Sequence, residues 1–114
     1  MNRGIAYSGK GQHDQAVADF NKALEINPKD ASAYYNRGMA YGEKNQLDQT
    51  IADFNKAVEI NPSYGRAYNN RAIIYYLKKE YDKAWNDAHK VEGLGLKMDP
   101  GFLRKLREDS GREK

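Results

Sequence analysis

The stretch Asn36-Arg37-Gly38-Met39-Ala40-Tyr41 decides how this chain is read, because it occurs three times. It stands earlier as Asn2-Arg3-Gly4-Ile5-Ala6-Tyr7 and later, more loosely, as Asn70-Arg71-Ala72-Ile73-Ile74-Tyr75, each time 34 residues away. Ala18-Asp19-Phe20-Asn21-Lys22-Ala23 returns in the same way as Ala52-Asp53-Phe54-Asn55-Lys56-Ala57, and Ile26-Asn27-Pro28 as Ile60-Asn61-Pro62. Aligned over residues 1–30 and 35–64, 19 of 30 positions are identical. A fixed period of this length marks a stack of similar units, each burying its apolar face on its neighbours.

Within a unit the apolar residues recur every three or four positions. Tyr34, Gly38 and Tyr41 form one such run, and Leu47, Ile51, Phe54, Ala57 and Val58 form another, the period of two helices. The connection Lys44-Asn45-Gln46 is short enough to turn the pair antiparallel. Proline lacks a backbone N–H and disfavours helical geometry in the residue before it, so Asn27-Pro28 and Asn61-Pro62 end helices. The pattern predicts helices near 1–9, 13–26, 31–44, 47–60, 65–78 and 81–92. After Gly93-Leu94-Gly95-Leu96, Asp99-Pro100 reads as an N-cap with proline at the first helical position. Phe102, Leu103 and Leu106 then form a narrow apolar stripe among Arg104, Lys105, Arg107 and Glu108.

This pattern resembles the tetratricopeptide repeat family. The second unit matches with Tyr34, Gly38, Tyr41, Phe54, Ala57 and Pro62, the first with Gly4, Tyr7, Ala16, Phe20, Ala23 and Pro28, and the third with Tyr68, Ala72, Tyr75 and Ala84. The resemblance covers residues 1 to about 92. It implies an all-α fold, a right-handed α-α superhelix (solenoid) of three antiparallel helix pairs closed by a C-terminal solvating helix. The units would be 1–30 (with a shortened first helix), 31–64 and 65–96, with the capping helix and tail in 97–114. Gly4, Gly38 and Ala72 let paired helices approach closely. Tyr7, Tyr41, Tyr75, Phe20 and Phe54 are expected in the core.

In this family the first helices of successive units line a concave groove that binds a peptide or protein segment. Carried over position by position, the groove would hold Ile5, Tyr35, Asn36, Met39, Arg66, Asn69, Asn70, Ile73 and Tyr76. The apolar members suit side chains of a guest, and the asparagines present both donors and an acceptor to its backbone. A carboxylate clamp of the chaperone-tail type is not expected. Asn36 and Arg66 fit such a clamp, but Met1, Ile5 and Asn70 replace its other members. Arg3, Arg37 and Arg71 repeat in step with Asp19, Asp53 and Asp87, which allows either internal ion pairs or a basic stripe for an anion such as RNA.

Composition narrows the function further. The 114 residues make one domain-sized chain with 19 basic against 16 acidic side chains, a balance of +3 that names no partner. No apolar run is long enough for a membrane span, no export signal follows Met1, and there are no cysteines. The cytoplasm is the expected compartment and no membrane role is expected. His13 and His89 have no metal-ligand spacing and are expected on helix surfaces. No nucleophile motif or phosphate loop is present. An enzyme is therefore not expected, nor a cofactor or metal, nor nucleic acid as the main partner. Because the first unit lacks an opening turn and a cap, a homo-oligomer, such as a self-assembling scaffold with another copy covering that unit or filling the groove, is the alternative reading.

Overall fold

The computed structural model describes residues 10–112 and consists of six helices with no strand among them. They are α1 (Lys10–Ile26), α2 (Ala31–Glu43), α3 (Leu47–Ile60), α4 (Gly65–Leu77), α5 (Tyr81–Gly93) and α6 (Pro100–Ser110). Two compact units divide the chain, the first ending at Pro62 and the second starting at Ser63. The expected helix at residues 1–9, with Gly4 and Tyr7, lies outside the described residues.

In the first unit, Asp30 caps α2 by accepting from the Ala33 N–H at 3.1 Å, and the Asn27 side chain accepts from the Lys29 N–H after α1 ends. Asn45 turns α2 into α3 from the left-handed region (φ 61), a conformation that asparagine adopts more readily than most residues. Gly38 shows why the pair packs closely. A Cβ placed on it would stand 2.8 Å from Phe54 Cε1 and 3.1 Å from Asp53 Cβ, inside van der Waals contact. Phe54 is 1% exposed, and Ala16, Phe20 and Ala40 form a further buried cluster with Val17 against it. The helical period thus becomes a core of small residues alternating with phenylalanine rings.

The second unit repeats the plan. Lys79 takes the place of Asn45 in the turn, again with positive φ (63), and Ala72, Ala84, Ala88 and Val91 are buried. The Asp99 side chain accepts from the Phe102 N–H at 2.9 Å, Pro100 opens α6, and Gly111 ends it in the left-handed region (φ 73). Leu106 is completely buried, the Trp85 indole N–H donates to Ser110 Oγ at 3.1 Å, and Arg112 pairs with Asp82 at 2.8 Å. The last helix is thereby docked on its unit as a cap.

Three expectations are corrected. The connection expected at Lys10-Gly11-Gln12 is helical, because α1 already starts at Lys10. Gly11 stands one period before Asn45, and glycine accepts helical and left-handed geometry alike, so its sequence alone does not enforce a break. His13 is not at the surface but 7% exposed, at the register position that Leu47 and Tyr81 hold in the other repeats. Tyr41 and Tyr75 are half-buried rather than core, since their rings flank arginines.

Candidate functional site

The chemistry-bearing side chains of the first unit are ordered around Arg37, which rises from the middle of α2. Its Nε donates to Asp53 Oδ2 at 2.9 Å and its Nη2 to Asp53 Oδ1 at 2.7 Å, a two-point contact with α3. Nη1 donates to Asn21 Oδ1 of α1 at 2.8 Å, so one guanidinium joins three helices. The rings of Tyr34 and Tyr41 lie 5.5 and 5.9 Å from its central carbon. The hydrogen bond to Asp53 raises the Arg37 pKa, fixing its charge. In the second unit Arg71 grips Asp87 in the same two-point way, at 2.8 and 2.7 Å, between Tyr68 and Tyr75. At both described rungs the repeated arginine is therefore a structural ion pair, with its fork occupied from inside the unit. Arg3 lies outside the described residues.

With that face of each first helix committed inward, the positions assigned to a ligand lie on the remaining arc. On α2, Met39 is 36% exposed, and Asn36 is half-buried. Asn36 lines a cavity of about 280 Å³ between α1 and α2, together with Asp19, Phe20, Asp30 and Ser32. Tyr35 is 8% exposed and stacks on Phe54 with centroids 5.4 Å apart, so its ring chiefly supports the core. On α4, Arg66 is exposed with its guanidinium 5.9 Å from the Tyr64 ring, and Ile73 is half-buried. Asn69 Nδ2 donates to Asn70 Oδ1 at 3.4 Å, so the two amides are coupled to each other on α4. Ile5 lies outside the described residues.

Tyr76 is placed where sequence reasoning did not look. Its hydroxyl donates to the Asp109 carboxylate of α6, and its ring meets Phe102 edge-on at 5.5 Å and Tyr81 at 5.9 Å. The hydrogen bond to Asp109, then burial, raises the Tyr76 pKa. A signal for this docking was present: Asp14 pairs with Lys44 and Asp82 with Arg112, both 30 residues apart. That shared spacing places the C-terminal helix against the third pair as one repeat stands against the next.

Among the described residues no group of three or more His, Cys, Asp or Glu side chains could hold a metal ion, and no helix is long and apolar enough to cross a membrane. His13 Nδ1 stands 3.9 Å from Glu43 Oε1, and His89 is exposed beside the Trp85 ring.

Comparison with known proteins agrees with this architecture. The chain resembles the first repeat domain of Spaghetti (RPAP3) bound to the HSP90 peptide SRMEEVD, with 26% identity over 89% of this chain and 79% of that one and a TM-score of 0.78. The first TPR domain of human RPAP3 is 25% identical over 89% of this chain and 81% of that chain, also at a TM-score of 0.78. MamA is 25% identical with a TM-score of 0.76 over 90% of this chain, which spans only 57% of MamA. No curated protein matches in sequence. Sequence profiles described as TPR repeat and tetratricopeptide repeat match residues 4–45, 31–64 and 54–86, and with the helix pairs and their ion-paired cores they show that the chain belongs to the tetratricopeptide repeat family.

Proposed function

We propose that this chain is a non-catalytic protein-interaction module whose first helices present a peptide or protein segment with a mixed apolar and amide surface. The observation that carries the reading is the division of labour on α2 and α4. Arg37 and Arg71 are drawn into the units, while Asn36, Met39, Asn69, Asn70 and Ile73 keep side chains at or near the surface of the same helices. Amides supply hydrogen bonds to an extended backbone, and Met39 and Ile73 supply apolar contact. The structural relative bound to the HSP90 peptide supports a peptide as the guest class. The chaperone-tail clamp itself is not part of this proposal, because Asn70 replaces one of its basic residues.

An immobilised peptide array probed with the purified chain tests the reading. The expected result is a defined set of bound peptides, weakened when Asn36 and Asn70 are both changed to Ala; unchanged binding removes these two residues from the site. In the alternative reading, a self-assembling scaffold, another copy of the chain covers the first unit or fills the groove, and a mass that rises with protein concentration in light scattering would favour it.

A further inference from the structure

The geometry points to a metal-binding site between α1 and α2, where His13 Nδ1 and Glu43 Oε1 share one divalent transition-metal ion of the zinc type.

The repeat singles out this pair. One period later the place of His13 is taken by Leu47 and that of Glu43 by Leu77, so the first unit carries two polar residues where the next repeat has two leucines. His13 is 7% exposed, and its Nδ1 is enclosed without a hydrogen-bond partner. Leucine would fill the same position and leave no buried polar atom unpaired. The carboxylate facing that nitrogen is Glu43, whose Oε1 stands 3.9 Å away, beyond hydrogen-bond range. Zinc bonds run about 2.0–2.1 Å to an imidazole nitrogen and about 2.0–2.2 Å to a carboxylate oxygen. Together they slightly exceed the gap, so a bare ion fits between the two atoms.

Access and charge agree with this assignment. The Glu43 side chain is 53% exposed, so it can turn to close the angle at the ion, and the ion can arrive along it. Two ligands from the chain leave the other coordination positions to water. Asp14 and Lys44, the sequence neighbours of the two ligands, pair with each other and offset, so Glu43 sets the sign of the site. An imidazole joined to one carboxylate suits zinc, nickel or copper, whereas magnesium and calcium take oxygen ligands. His13 and Glu43 lie 30 residues apart, so no short ligand spacing in the sequence announces them. A bound ion would tie the start of α1 to the end of α2 beside the Asp14–Lys44 pair.

The test uses the untagged chain, stripped with a chelator and titrated with zinc to just below millimolar concentration, with thermal melts followed by circular dichroism. Expected is a Tm that rises with zinc, because the ion binds the folded chain, and falls back when chelator is added. Magnesium should give no rise. His13→Leu supplies the residue of the next repeat and should fold, yet lose the response. Glu43→Gln should bind zinc at least about tenfold more weakly in calorimetric titration. His89→Ala removes the exposed imidazole of α5 and should respond like wild type. The inference is overturned if zinc does not raise the wild-type Tm, if magnesium raises it equally, if the rise survives in His13→Leu, if Glu43→Gln binds as tightly as wild type, or if His89→Ala abolishes the response.

Discussion

Arg37 on α2 and Asp53 on α3 are joined by two hydrogen bonds of 2.9 and 2.7 Å, and the same contact recurs one period later between Arg71 and Asp87. Asp53 is nearly enclosed, its side chain 7% exposed against 22% for Arg37, so removing one partner leaves the other charge poorly solvated. Changing Asp53 to Ala is expected to lower unfolding stability by about 2–4 kcal/mol, between the values for exposed and fully buried pairs. Replacing both residues with apolar side chains, Arg37→Met with Asp53→Leu, should restore most of the loss. Urea denaturation followed by circular dichroism measures both; an Asp53→Ala variant as stable as wild type contradicts this role.

Glycine gives a second contrast. Gly38→Ala puts a methyl group within 2.8 Å of Phe54, and the resulting overpacking should cost about 1–3 kcal/mol. Gly11 in α1 has nothing within 4 Å of an added Cβ, so Gly11→Ala should stabilise by about 0.5–1 kcal/mol through helix propensity alone. Paired thermal melts read the opposite signs, and a common sign for both would refute the packing described for α2 and α3.

The docking of α6 should respond to alkaline pH. Hydrogen bonding to Asp109 raises the Tyr76 pKa, so the neutral phenol is favoured in the folded chain. That contribution is complete below the ordinary tyrosine value of about 10 and is lost as pH rises through the raised one. Trp85 emission should therefore shift above about pH 10 in the wild type. Tyr76→Phe lacks this ionisation and should show a smaller shift over the same range. Equal alkaline transitions would show that Tyr76 does not tie α6 down.

Leu106 makes the cap's buried apolar contact. Leu106→Ala is expected to free α6, with faster amide hydrogen exchange in residues 100–110 and a redder Trp85 spectrum. Truncations of this kind cost about 2–5 kcal/mol where the site cannot collapse. Unchanged exchange in α6 would mean that Leu106 does not hold the cap.

The repeat made much of this fold legible. Asn27-Pro28 and Asn61-Pro62 mark where α1 and α3 end, and Asp99-Pro100 marks the start of α6, since proline and an N-cap act locally. Residue type alone places His13 at the surface, whereas its register with Leu47 and Tyr81 points inward, where it is buried. Tyr35 and Tyr76 share the first-helix positions of their neighbours, yet their rings meet Phe54 and Phe102, partners set by tertiary packing. The docking of α6 was hidden because it rests on contacts between distant residues, Tyr76 with Asp109 and Asp82 with Arg112. Local signals fixed the helices; contacts between them decided which side chains remain for a partner.

The central claim, that the first-helix surfaces hold a peptide, is tested most directly by titrating the chain with a peptide selected on the array and comparing wild type with Ile73→Glu. The account predicts saturable binding by the wild type and at least about tenfold weaker binding by the variant, with helicity unchanged. Equal affinity in the two proteins, or no saturable binding by the wild type, would contradict it.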